Sequence, residues 1–139
     1  MRRNTLPYFS VAQGKIDLML YIIIGIIFDV EAFEVRLLEG ALRFLKSLPT
    51  KNRAKAFRSI DLLRELGPEL PMPHSRILKG TGGLRELGIK FASDIVRLFY
   101  FHYAGRVYVI TSGFVKKTDK TDVNELQKAV RMMQAVKEM

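Results

Sequence analysis

The chain has 139 residues, 48% of them apolar and 27% charged, which suits one folded domain and argues against intrinsic disorder, collagen-like repeats or a membrane bundle. It has no cysteine, which excludes disulfide scaffolds, thiolate metal sites, iron–sulfur clusters and cysteine nucleophiles, and two histidines, His74 and His102, leave little for zinc. The net charge is +9, and it is uneven: residues 1–34 hold 3 basic and 4 acidic groups, so residues 35–139 hold 20 and 10, a net of +10. Such a domain points to a polyanionic partner, with nucleic acid ahead of an acidic protein or a membrane surface.

Leu18 to Phe28 (LMLYIIIGIIF) is the most apolar run, and eleven residues are too few to cross a bilayer, which needs about 20. A signal peptide is the rival reading, since Arg2 and Arg3 precede it, but the DVEAF that follows lacks a small-x-small cleavage site. Its β-branched residues predict a buried strand, continuing through the alternation of Phe28 to Val35 as one long first strand. From Leu38 to Leu66 the period lengthens. Leu42, Leu45 and Leu48, then Phe57, Ile60, Leu63 and Leu66, predict two helices broken at Pro49, with Thr50 capping the second. Gly67 to Ser75 carries three prolines and reads as a loop.

Three strands follow. Leu84 to Phe91 alternates, with Arg85, Leu87, Ile89 and Phe91 on one face and Glu86, Gly88 and Lys90 on the other. Ile95 to Tyr103 is too apolar to alternate and reads as a central strand in which Arg97 is the one charged intruder. Val107 to Val115 completes an antiparallel meander. A final helix starts near Thr121 or Asp122, where Asp122 and Glu125 have capping-box spacing, and buries Val123, Leu126, Val130 and Met133. The expected fold is α+β: a small mixed or antiparallel sheet with a helical hairpin on one side and a C-terminal helix.

The sequence contains no Walker loop, dinucleotide fingerprint, HExxH or GxSxG motif. What remains is a set of cations at strands and turns: Lys79 before a glycine-rich turn, Lys90, Arg97, and Lys116, Lys117 and Lys120 after the last strand. Strands lie about 4.8 Å apart, so Lys90, Arg97 and the Lys116–Lys120 turn can meet on one sheet face and cradle a phosphate. Metal-free RNA cleavage requires a deprotonated 2′-hydroxyl, a neutralised phosphorane and a protonated 5′-oxygen. Guanidinium and ammonium groups neutralise the charge, and a lysine depressed by neighbouring cations moves the proton. The bland alternative is that these are solvated surface lysines. His74 is a candidate proton shuttle or a loop-surface histidine, and His102 reads as packing or solvent-facing. Glu86 is a candidate general base, with an ion pair to Lys90, two positions along the same face, as the favoured alternative. Met132, Met133 and Met139 read as helix filling.

The run PMPHSRILKGTGGLRELGIKFASDIVRLFYF, followed by ITSGFVKKTDKT and an amphipathic helix, resembles the HigB-type branch of the RelE toxin superfamily. The resemblance spans roughly Ile26 to Met133, and GFVKKT is its most specific part. It implies a single toxin domain over residues 21–139, with residues 1–20 an extension that has no counterpart in the family and Met19 where such proteins commonly begin. It also implies a cytoplasmic, ribosome-dependent messenger-RNA endoribonuclease that leaves a cyclic phosphate and a 5′-hydroxyl, needs no cofactor or metal, and is neutralised by a cognate helix-turn-helix antitoxin. Carried over by position, Lys90, Arg97, Lys117 and Lys120 form the catalytic set, and Lys79, Arg85, Tyr100 and Lys116 bind RNA, with Tyr100 either stacking on a base or packing in the sheet.

The sequence departs from the family at Gly88, where the ELR pattern has arginine, and at Arg85, where an aromatic residue is usual. One phosphate-facing guanidinium is therefore missing, and such a loss costs on the order of a hundredfold in rate. Arg85 compensates only if the strand slips register, because adjacent residues face opposite ways. Two rival functions follow: a catalytically weakened phage or prophage protein that binds RNA, the ribosome or a partner protein without cleavage, and a membrane-associated protein anchored through Leu18 to Phe28.

Overall fold

The computed structural model describes residues 33–116 and 122–139. The chain enters strand β1 (Glu34–Leu37), passes through helices α1 (Glu39–Ser47) and α2 (Thr50–Leu66) and a 3₁₀ turn (Gly67–Glu69), then runs β2 (Ser75–Ile77), β3 (Arg85–Phe91), β4 (Asp94–Ala104), β5 (Val107–Lys116) and helix α3 (Val123–Lys137). The sheet order is β1-β5-β4-β3-β2. The helical hairpin carries the chain from one sheet edge to the other. From there β2 to β5 return as an antiparallel meander, so β5 arrives beside β1 and pairs with it in parallel, Glu34 opposite Val107. This is the α+β arrangement expected from the sequence.

The hairpin covers one face of the sheet. Ala41, Leu45 and Leu48 of the α1 segment and Ala56, Ile60 and Leu63 of α2 pack on Leu87, Ile89, Val96, Leu98, Tyr100, Tyr108 and Ile110. Leu42, Phe57 and Leu66 of the expected stripes are instead exposed. The reason is geometric: at 100° per residue, a strict three-residue spacing drifts 60° per step, so Phe57 and Leu66 end about 180° apart. Pro49 does break the helices, but it occupies the cap position itself, and no side chain caps α2. Thr50 is already inside the first turn.

On the opposite face, Ala129 and Met133 of α3 pack against Leu84, Phe99, Phe101 and Val109. Asp122 caps α3 as expected, accepting from the backbone N–H of Asn124 (2.9 Å) and Glu125 (3.2 Å). Val123 is 62% exposed rather than buried, because it occupies the first helical position, before the helix reaches the sheet. The segment expected to be loop up to Ser75 contributes a three-residue edge strand, β2. Of the expected long first strand, residues 18–32 lie outside the described residues; within them the strand begins at Glu34 and runs to Leu37. Among the described residues no helix is long and apolar enough to cross a membrane.

Candidate functional site

The register decides which cations share a face. Across β3, β4 and β5, Lys90 pairs with Ile95 and Ile95 with Lys116, while Gly88 pairs with Arg97 and Arg97 with Phe114. Cross-strand partners point the same way, so Lys90, Arg97 and Lys116 all belong to the face that α3 partly covers. Lys90 and Lys116 flank Ile95 on its two sides, about 10 Å apart, and Arg97 lies one pleat further along β4. Lys116 is buried, whereas Lys90 is exposed. Lys117 and Lys120 lie outside the described residues.

Arg97 is not a bare cation. Its Nη1 lies 3.3 Å from Oε1 of Glu86, and the Arg76 guanidinium of β2 donates to the same oxygen at 3.0 Å. Glu86 is fully buried, and neither its Oε2 nor Nε of Arg97 has a hydrogen-bond partner among the described residues. The expected ion pair with Lys90 is therefore replaced by one with two arginines. Sequence reading missed this because Arg76 sits in a strand too short to recognise. Gly88, between Glu86 and Lys90 on the same face, makes the pairing possible: a Cβ there would overlap Nη1 of Arg97.

Beyond β2's short pairing with Leu87, Glu86 and Arg85, the edge of β3 opens into a hollow of about 340 Å³. Arg97, Lys90 and Gly88 line it, together with His74 before β2 and Lys55 and Ser59 from α2, over a floor that includes Ile89 and Ile95. Lys55 donates to the carbonyl of Lys90 (2.6 Å), and the N–H of Gly88 donates to the carbonyl of His74 (2.9 Å), so two backbone anchors hold the rim to β3. The cations and the apolar floor of this open hollow suit a phosphate with an attached ring system. Sequence periodicity gave no hint of Lys55 and Ser59; Lys55 lies 35 residues from Lys90, whose carbonyl it meets.

Three of the expected RNA-binding residues do not join this site. Tyr100 is 1% exposed, and its hydroxyl lies 2.5 Å from Ser75 Oγ beneath the helical hairpin, so its ring packs in the core and does not face a base. Burial raises the Tyr100 hydroxyl above its ordinary value, and Ser75 and Arg85 partly oppose the shift. Arg85 pairs in register with Tyr100 on that hairpin-covered face; the register has not slipped, so it does not stand in for an arginine at 88. Lys79 is exposed in the β2–β3 turn, at the opposite end of β3 from Lys90. His102 is exposed on β4, with its ring nitrogen Nε2 2.7 Å from the Gly105 carbonyl in the next turn.

A free-state mutant of the Escherichia coli toxin RelE is similar in structure, with 20% identity over 72% of this chain and 96% of that one and a TM-score of 0.51. The intact E. coli RelBE toxin–antitoxin complex (21% identity, 64% and 100% coverage, TM-score 0.47) and an archaeal RelE–RelB complex from Pyrococcus horikoshii (18%, 63% and 98%, 0.45) are also similar. The likeness to the free-state RelE mutant shows that the sheet with its hairpin and C-terminal helix is the fold of that toxin. Residues 43–134 match the family described as "Phage derived protein Gp49-like", and the chain belongs to that family. No curated protein matches the sequence.

Proposed function

We propose that this chain is a HigB-type toxin that cuts messenger RNA on the ribosome. The supporting observation is the register that puts Lys90, Arg97 and Lys116 on one sheet face beside an open hollow. In the proposed reaction the 2′-hydroxyl loses its proton and its oxygen attacks phosphorus. The P–O5′ bond breaks, the 5′-oxygen takes up a proton, and a cyclic phosphate and a 5′-hydroxyl result. Arg97 and Lys90 bear the charge of the phosphorane, Lys117 and Lys120 bind RNA or move the proton, and Lys116, which is buried, adds positive charge on the same face. A helix-turn-helix antitoxin, cytoplasmic action and independence from metals and cofactors belong to the same reading.

A second reading, RNA or partner binding without cleavage, is favoured by one observation: Glu86 already neutralises part of Arg97's charge. The test is expression without antitoxin, followed by mapping of 5′-ends on ribosome-bound messages. Growth arrest with new 5′-hydroxyl ends, both abolished by Arg97→Ala with Lys117→Ala, supports cleavage. Arrest that survives the double substitution counts against it, and binding without new ends favours the second reading.

A further inference from the structure

Arg97 reaches the hollow by a constrained route. It springs from the central strand, crosses the face of β3 at Gly88 and meets Glu86, which lies two residues before that glycine on the same face. One oxygen of a fully buried carboxylate receives both Arg97 and Arg76, so the trio carries a net charge of +1 and still attracts an anion. Any side chain at residue 88 would occupy the space that Nη1 of Arg97 uses. An arginine there would add a second long side chain to that space, competing for the same carboxylate.

We propose that Glu86 is a positioning residue for Arg97, and that glycine at 88 is the opening through which Arg97 is held over the scissile phosphate. On this view Gly88 is a requirement of this site and does not mark a missing arginine. The inference rests on the reading of Arg97 as a phosphate-binding group. A long side chain fixed by a buried carboxylate presents its guanidinium at one place relative to β3 and β4, and reacting groups held in register gain rate through orientation.

The test uses the full chain on programmed ribosomes under single-turnover conditions, with Arg97→Ala, Gly88→Ala, Gly88→Arg and Glu86→Gln. Gly88→Ala changes no charge, and only Arg97 stands in its way. It is expected to lower the maximal cleavage rate about tenfold or more, with half-saturation little changed, and to add nothing on the Arg97→Ala background. Gly88→Arg is expected to cut more slowly than the unsubstituted chain. Gly88→Ala or Gly88→Arg cutting at least as fast as the unsubstituted chain, while Arg97→Ala is inactive, overturns the positioning role. Arg97→Ala cutting at full rate overturns the cleavage reading and this inference with it. A second readout needs no cleavage: the Arg97 Nε–Hε resonance in a ¹⁵N spectrum should move in Gly88→Ala and sharpen towards a free arginine in Glu86→Gln. If it is unchanged in both, Glu86 does not hold Arg97, whatever the activity.

Discussion

Tyr100→Phe separates a packing tyrosine from an RNA-stacking one. The substitution removes one oxygen from a fully enclosed site and leaves the ring among Leu98, Tyr108 and Ile110. It loses the 2.5 Å contact with Ser75 and strands the hydroxyl of a residue that is itself buried. A net hydrogen bond is worth about 1 kcal/mol and an unsatisfied buried hydroxyl costs about 1–3, so the loss should come to about 1–3 kcal/mol. For a domain of this size that lowers Tm by roughly 3–10 °C. Thermal melts by circular dichroism, run beside ribosomal cleavage, provide the assay. Stability should fall while cleavage at 25 °C stays within about twofold, because the ring lies on the face away from Arg97. Ser75→Ala should give a coupling energy of about 1 kcal/mol with Tyr100→Phe. An unchanged Tm with lost cleavage would mean the hydroxyl faces RNA, and the placement would be wrong.

Gly113→Ala should destabilise by about 1–3 kcal/mol in urea unfolding, since a Cβ there would come within 2.5 Å of Phe44 and 2.6 Å of Leu98 where α1 presses on β5. Asp122→Ala removes the acceptor for two backbone N–H groups at the start of α3 and should cost about 1 kcal/mol, with amide exchange rising first in that turn. Burial raises the hydroxyls of Tyr100 and Tyr108 above their ordinary value, so their neutral forms belong to the folded state. Their contribution is therefore intact below about pH 10 and is lost as pH climbs through the raised values. Tm measured from pH 9 to 11.5 should fall more steeply for the unsubstituted chain than for Tyr100→Phe; equal slopes would contradict the assignment.

The elements legible in the sequence were those whose pattern matches their local period. β3 shows its alternation, and short turns join it to the apolar β4 and to β5, so a shared face for Lys90 and Arg97 could be expected from strand spacing. The helices were legible, but their buried faces only in part: Leu45, Leu48, Ile60 and Leu63 are buried as expected, while alanines at 41 and 56 and Asn52 share the contact, and small or polar residues leave no hydrophobic signal. Three-residue β2 is too short to show a period, and without it the Arg76–Glu86–Arg97 group cannot be assembled. Tyr100 was ambiguous because a tyrosine in an apolar strand satisfies both packing and stacking patterns. Its partner, Ser75, lies 25 residues away, with β3 and two turns between them.

The pairing of Arg97 follows from where the fold puts it. Its side chain is 17% exposed, and it rises from β4 between Gly88 of β3 and Phe114 of β5, the latter stacked with Phe99 at 5.4 Å. A cation there is poorly solvated, and leaving one uncompensated in such a place costs about 3–5 kcal/mol. The same poor solvation strengthens its attraction for any anion that arrives. A site built on this arginine therefore needs a resting counter-ion when RNA is absent, one that does not close the approach from the hollow. Glu86 meets both conditions. It lies behind Gly88 with no exposure of its own, and Arg76 shares its charge, so a phosphate entering from the side of Lys90 meets a net positive group that did not have to be desolvated on arrival.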